Sequence, residues 1–271
     1  MSDHIIFDRR QVRMQRDRAA GKLSEHDFLF RESADRLTER LRDVTRKFPL
    51  ALDLGCHGGE TAALLRGQFG IETLVAADLS ARMARLAPAD LRVAADEETL
   101  PFAEGKFDLV VSNLSLHWVN DLPGALLQIR RLLKPDGLFL ASMLGGETLR
   151  ELRQCLLEAE IAEEGGAGPR VSPFVEVKDA GALLQRAGFS LPVTDVDDVD
   201  VTYGNPFRLL ADLRGMGETN ALTSRRRGFS RRGTLARAMA LYAERHADAD
   251  GRVRSTFQIV TLTGWTPVGK G

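Results

Sequence analysis

One stretch constrains this chain more than any other: Ala51-Leu-Asp-Leu-Gly-Cys-His-Gly-Gly-Glu-Thr61, an apolar run that ends in an acid and enters a glycine-rich turn. Phe48 to Gly55 reads as a short buried strand. Glu60 to Phe69 reads as a helix with one apolar stripe, which places the glycines at a strand-to-helix junction. Backbone amides at such a junction approach a polar ligand closely, where side chains would block it. A dinucleotide pattern started at Gly55 would need glycine at His57 and Glu60, and both positions fail. A phosphate loop needs a Gly-Lys-Ser/Thr ending, and the Gly-Lys pairs beginning at Gly21, Gly105 and Gly269 lack that setting.

What remains is Asp53, close before Gly55. An acid beside the turn faces an amine or sulfonium while the nearby amides take a carboxylate, and S-adenosylmethionine carries all of these groups. The segments downstream fit that ligand. Thr73 to Asp78 is a second buried strand ending in an acid, and Asp78 is the candidate for both ribose hydroxyls. Leu91 to Asp96 is a third strand, where Asp96 and the Glu97 amide are candidates for the adenine edge. Phe107 to Trp118 is a fourth strand running into a loop, followed by an amphipathic helix from Leu122 to Leu133. Lys134-Pro-Asp-Gly137 is expected to end that helix, with a fifth strand at Leu138 to Ser142.

Asp-Leu-Gly-Cys, Ala-Asp-Leu-Ser, Leu-Pro-Phe, Phe-Asp-Leu-Val and Leu-Lys-Pro-Asp-Gly follow one another in an order and spacing that resembles the class I S-adenosylmethionine-dependent methyltransferase family. Ile6 to Arg9, Ser112 to Leu122, Gly145 to Leu152, Leu213 to Asn220 and Phe257 to Trp265 extend the resemblance. They look like the methyltransferase-like complex I assembly factors that hydroxylate arginine, with their bacterial relatives. The malonyl-carrier-protein methyltransferases of biotin synthesis are a more distant likeness. The resemblance implies an α/β, Rossmann-like sheet with helices on both faces. It puts the methionine end of the cofactor at Asp53, Gly55 and Gly59, the ribose at Asp78 with Leu79 beside it, and the adenine at Asp96 and Glu97, with His57 and Asn113 completing the cofactor set. One departure is visible: the family turn carries glycine where this chain has His57. Either Gly58 takes over the flexible position or the imidazole crowds the pocket. The first is expected, because Gly58 is free to adopt unusual backbone angles.

The chain reads as an N-terminal helical arm (1–46), a cofactor domain (47–205 and 255–267) and a helical cap (206–254) that shapes the substrate pocket. The arm is rich in arginine, among them Arg9, Arg10, Arg13, Arg16 and Arg18, and reads either as a lid or as a solvated helix face. Helices are expected at Glu147 to Glu164 and Val177 to Ala187, then a strand at Val193 to Tyr203. A helical insert is expected at about Pro206 to Arg245 and a last strand at Thr256 to Trp265. In the cap, Arg225, Arg226, Arg227, Arg231, Arg232 and Arg237 fall in a stretch with no acid between Glu218 and Glu244, which reads either as a site for an acidic protein surface or a carrier protein as partner or as a solvated helix start. Arg225, Arg226, Trp118 and Glu218 are the substrate-binding candidates. His117, at the ligand-facing edge of the sheet, is the candidate base or orienting group, with core packing the alternative. Capping of a helix end is the alternative for Glu218.

At 271 residues and 44% hydrophobic, the chain can bury a sizeable core. A net charge of −1 argues against a general nucleic-acid or membrane binder, and 6% aromatic content argues against base stacking. No apolar run of spanning length or leader-like segment is seen, and nothing like a presequence precedes Phe7, so a cytoplasmic, bacterial setting is expected. Cys56 and Cys155 are too few for a metal or disulfide framework, and the five histidines show no metal-ligand spacing. Methyl transfer needs placement of the acceptor and exclusion of water rather than a catalytic triad. The expected function is therefore methyl transfer to a protein or carrier-bound acceptor. Arginine hydroxylation linked to assembly of respiratory complex I, with one of its subunits as acceptor, is the alternative, and a cofactor-binding chaperone without turnover is a third.

Overall fold

The computed structural model describes residues 5–172, 174, 177–226, 228 and 231–268. Seven strands form one sheet: β1 (Leu50–Leu54), β2 (Thr73–Asp78), β3 (Leu91–Ala94), β4 (Phe107–Asn113), β5 (Leu133–Leu144), β6 (Ser190–Tyr203) and β7 (Val253–Trp265). Their spatial order is β3-β2-β1-β4-β5-β7-β6, and only β7 runs antiparallel to its neighbours. The chain reverses direction across the sheet between β1 and β4, which opens a crevice beyond their C-terminal ends, where ligands of doubly wound folds bind. β1 and β4 are almost wholly buried and read as near-continuous apolar runs, interrupted by Asp53 in β1 and by Asp108, Ser112 and Asn113 in β4, as expected of strands covered on both faces.

Helices α2 (Phe28–Arg42), α3 (Glu60–Leu65) and α4 (Ala81–Leu86) cover one face through Leu37, Leu41, Ala62, Leu65 and Ala84. Helices α5 (Leu122–Leu132) and α7 (Val177–Ala187) cover the other through Leu126, Ile129 and Leu184. Side-chain caps start several of them: Ser80 accepts from the Met83 amide and Asp121 from the Gly124 amide. The arm helix α1 (Arg9–Ala19), together with α6 (Arg150–Glu164), α8 (Pro206–Met216) and α9 (Arg232–His246), gathers around a further core at the end of the sheet, built on Leu152, Leu209, Met216, Met239, Tyr242 and Phe257.

Several boundaries differ from the sequence expectation, each for a local reason. β3 stops at Ala94, and Asp96 instead bridges to Thr99 in a turn. β5 begins at Leu133 rather than Leu138: Phe107 pairs with Leu133 and Leu109 with Leu138, so Lys134 to Gly137 bulge out of the ladder, with Asp136 at φ +59. α6 begins at Arg150 because Gly145 and Leu149 spend their amides on the carbonyls of Gln258 and Thr256. α3 is shorter than expected and the last two strands are longer. Among its described residues the cap holds two helices, α8 and α9. α8 ends at Gly217 (φ +81), whose left-handed backbone lets the Glu218 amide reach back to the Leu213 carbonyl at 2.8 Å. Among the described residues, no helix is long and apolar enough to cross a membrane.

Candidate functional site

The turn after β1 is built on close approaches. A Cβ on Gly55 (φ +69) would collide with the Ser115 side chain, and one on Gly59 (φ +88) with the backbone of Ala87. The unusual conformation at the centre of the turn falls on His57 itself (φ +47), not on Gly58, which corrects the expectation that Gly58 would supply it. A non-glycine residue held there carries strain, and packing compensates it. The His57 ring is fully buried and stacked on Phe30, with centroids 4.1 Å apart and planes 19° apart. Its Nε2 lies 3.1 Å from the carbonyl oxygens of both Asn113 and Leu114. Carbonyls only accept, so Nε2 carries the proton. Burial, reinforced by the Arg16 charge, lowers the pKa of the ring and keeps it neutral.

Asp53 is fully buried behind this turn, with no hydrogen-bond partner for either oxygen and only the Ala62 amide near enough to favour its charge. Burial first, then Glu60 and Asp78, push its carboxyl up to about 8. Glu60, at the start of α3, is raised to about 7, mainly by burial.

At the end of β2, Asp78 is also fully buried. Its Oδ1 accepts from the Ser80 amide at 2.7 Å, and its Oδ2 from the His57 amide and from Arg16 Nη1, both at 3.1 Å. Arg16 is wholly enclosed: Nη1 also lies 3.3 Å from Glu97 Oε1, and Nη2 donates to Ser115 Oγ at 2.9 Å. The Ser115 hydroxyl donates in turn to Glu97 Oε1 at 2.7 Å, while Arg9 binds Glu97 Oε2 and, at 2.7 Å, Asp96 Oδ1. Burial alone would raise Glu97, but Arg9 and Arg16 hold it down at about 2. Burial alone would lower Arg16, but Asp78, Glu97 and Glu218 hold it above its ordinary value. Glu97 thus presents a buried side chain to two arginines. Asp96, about a third exposed, faces Arg9, and Asn113 is spent on the Phe30 carbonyl and the Ser142 hydroxyl. Leu79 packs on the small cluster of Phe7, Val12 and Trp118.

His117 and Trp118 lie on the single helical turn Leu116–Trp118 after β4. Both turn to Glu218, just past α8: its Oε2 accepts from Trp118 Nε1 at 2.7 Å and lies 3.0 Å from His117 Nε2. The Glu218 side chain is 5% exposed, and its Oε1 has no partner. Burial pushes Glu218 up, but the His117 hydrogen bond together with the nearby charge of His117 and Arg16 outweighs this, and it sits below its ordinary value. It is therefore a carboxylate, and Nε2 of His117 is the donor. The side chain joins cap to sheet instead of capping a helix end. Glu218 and Trp118 line a cavity of about 260 Å³ that is otherwise largely apolar, with Leu144, Leu149, Leu210 and Phe257 in its walls.

The sequence candidates therefore fall into two groups. Asp53, Gly55, His57, Gly59, Asp78, Glu97 and Asn113 come together at the C-terminal ends of β1, β2 and β4, and His117, Trp118 and Glu218 come together at the cavity. Arg225 and Arg226 join neither. Arg225 binds the Leu222 carbonyl at 2.7 Å and Asp8 at 3.0 Å, and Arg226 pairs with Glu164. Arg237 pairs with Glu163, and Arg245 with Glu158, so Arg226, Arg237 and Arg245 of the cap meet acids of α6 that lie far away in sequence. Arg227 lies outside the described residues. Sequence reasoning passed over Arg9 and Arg16 as members of the site. Their spacing of two helical turns puts them on one face of α1, which was the available signal.

A family model described as a methyltransferase domain matches residues 52–141. The chain is similar to the mitochondrial arginine-hydroxylase NDUFAF5 of Danio rerio, 45% identical over 269 residues that cover 97% of this chain and 83% of that protein. It is also similar to the malonyl-[acyl-carrier protein] O-methyltransferase of a Methylovorus species, 35% identical over 280 residues that cover 98% of this chain and 92% of that one. Its fold is similar to that of Haemonchus contortus phosphoethanolamine N-methyltransferase 2, solved with S-adenosyl-L-methionine: TM-score 0.57, 18% identity, covering 94% of this chain and 60% of that one.

Proposed function

We propose, from the premise that this chain belongs to the class I S-adenosylmethionine-dependent methyltransferase family, that it transfers a methyl group to a protein or carrier-bound acceptor held in the Glu218 cavity. The donor set fits the cofactor. Asp53 is a buried acid whose oxygens have no hydrogen-bond partner, so that an entering cationic group would favour its ionised form, and Gly55 and Gly59 hold the turn close against Ser115 and Ala87, where a Cβ would collide. Asp78 ends β2, where such folds hold a ribose. When bound, S-adenosylmethionine supplies a methyl carbon already activated by its sulfonium.

The protein's own part is placement. Trp118 and the apolar walls exclude water from the cavity, and His117 and Trp118 fix one oxygen of Glu218 so that the other faces its task in a single geometry. The unpaired Glu218 Oε1 is the observation that carries this reading: a buried carboxylate oxygen without a donor favours an acceptor that brings cationic N–H groups. The same oxygen, with the 45% likeness to a protein named arginine-hydroxylase, favours a second reading, hydroxylation of an arginine side chain, with a respiratory complex I subunit as the acceptor. A carrier protein remains the other acceptor class, with exposed Arg214 at the cavity rim as its contact. A cytoplasmic location is part of the proposal, and cell fractionation checks it.

Incubating the protein with S-adenosylmethionine and a recovered partner, then reading the partner's intact mass, tests the assignment. A gain of one CH₂ unit is the expected result. A gain of one oxygen moves the assignment to hydroxylation. An unchanged mass, with the cofactor demonstrably bound, leaves a chaperone role.

A further inference from the structure

Arg16 stands between the two halves of the site. Its guanidinium fills the space between Asp78 and Glu97, the two buried acids of the cofactor end, and is fully enclosed there. Its backbone packs on the turn that carries the acceptor-site acid: a Cβ on Gly217 would lie 3.3 Å from both Cα and N of Arg16, and Glu218 follows directly. The arm is tied to the same segment by Gln15 Nε2, 3.2 Å from the Asn220 carbonyl, and by the Asp8 amide, 2.8 Å from the Ala221 carbonyl.

We propose that Arg16 is a latch: its guanidinium holds the ribose-binding carboxylate of Asp78, the cofactor displaces it, and its departure loosens the Gly217–Glu218 turn, so that cofactor binding readies the acceptor site. The charges allow this exchange. With Arg16 gone, Glu97 keeps Arg9 and the Ser115 hydroxyl, and Asp78 keeps the Ser80 and His57 amides and gains the ribose hydroxyls. Neither acid is left without a hydrogen-bond donor, and the displaced guanidinium moves out to solvent with the loosened second half of α1, so that no charge stays buried and unpaired, the outcome that makes breaking a buried ion pair costly. Arg9 and the Phe7–Leu222 bridge anchor the start of α1 throughout, so the movement belongs to the second half of the helix. The latch rests on the reading that S-adenosylmethionine occupies the Asp53–Gly59 turn.

The test is hydrogen–deuterium exchange of the whole protein with and without S-adenosylhomocysteine, after calorimetry has established saturation. The latch predicts about threefold faster exchange for amides of residues 14–20 and 216–220 in the complex, against slower exchange around Gly55 to Gly59. Unchanged or slower exchange at 14–20 overturns the latch and leaves the cofactor assignment standing, whereas no binding at all overturns both. In addition, Arg16→Met keeps the aliphatic stem and removes the competing charge, and is expected to bind S-adenosylhomocysteine about tenfold more tightly. Equal or weaker binding means that Arg16 supports the cofactor instead of competing with it. Should that variant fail to fold, Glu97→Gln weakens Arg16's hold without removing it and is expected to tighten binding about threefold, with the same contrary outcome.

Discussion

The two ends of the crevice use buried acids in opposite ways. At the cofactor end, Asp78 and Glu97 are sealed against Arg16 and Arg9, and Asp53 is raised until it is largely neutral near pH 7. At the proposed acceptor end, Glu218 is lowered and charged, with one oxygen fixed and the other buried without a partner in a residue that lines a cavity. The difference teaches what each end is ready for. A saturated set of charges selects a ligand by exchange, since the entering group must replace a partner already present. A half-satisfied carboxylate selects by addition, and whatever supplies a charged donor gains its full strength in a dry pocket.

The largest effect should come from breaking the saturated end. Asp78→Ala leaves Arg16 with one acid fewer in a fully buried position and is expected to cost roughly 3–5 kcal/mol of stability, read by chemical denaturation. It should also weaken cofactor binding about tenfold to a hundredfold, since charge-assisted bonds to two hydroxyls are lost. Unchanged calorimetric affinity would remove Asp78 from the site. At the other end, Glu218→Gln keeps the shape of the side chain and removes its charge. Modification of the acceptor should fall about a hundredfold while cofactor affinity stays within about twofold. Parallel loss of both would show that the ends are not separate.

The titration of Asp53 sharpens the contrast. Its folded pKa of about 8 lies above the unfolded carboxylate value, so between roughly pH 4 and pH 8 the unfolded state binds fewer protons and stability falls as pH rises. Glu60, raised to about 7, acts in the same direction over the lower part of that window. Glu97, held at about 2, works the other way, and its contribution is lost only in acid, as pH falls from the ordinary glutamate range towards 2. Denaturation is expected to show a loss between about pH 6 and about pH 8 that is smaller by roughly 2 kcal/mol in Asp53→Asn, the remainder belonging to Glu60. A flat profile would mean that Asp53 is charged and partnered in solution.

His57→Gly separates strain from packing. It relieves the φ +47 backbone but removes a ring stacked on Phe30, so stability should drop by about 1–2 kcal/mol and cofactor affinity should change less than about threefold. A tenfold gain in affinity would identify the ring as an obstruction. The smallest effect is expected for Arg226→Glu, which breaks one partly exposed pair with Glu164 and should leave the denaturation midpoint almost unchanged. A salt-dependent collapse of partner binding in that variant would restore the cap as a docking surface.

Most of the fold is legible in the sequence because buried parallel strands are near-continuous apolar runs. Leu50–Leu54, Thr73–Asp78 and Phe107–Asn113 each run into a polar or glycine-bearing turn that marks the ligand edge. The acids of the site are legible for the same reason, as strand-terminal positions. Their partners are not. Arg16 meets Asp78 across 62 residues and Arg9 meets Glu97 across 88, and a chain read linearly shows only a charged helix. The cap misled in the same way, because Arg226 and Arg237 of a run that is acid-free in sequence meet acids of α6 in space. At His57, sequence preference favoured Gly58 for the left-handed backbone, while packing against Phe30 and two carbonyls stabilised the histidine there.

A crystal structure with S-adenosylhomocysteine bound tests the division of the crevice most directly. The account predicts the ribose hydroxyls on Asp78 in place of the Arg16 guanidinium, the amino-acid end along Gly55 to Gly59, and the Glu218 cavity free of the nucleoside. A nucleoside lodged against Glu218, with Arg16 still on Asp78, would contradict it.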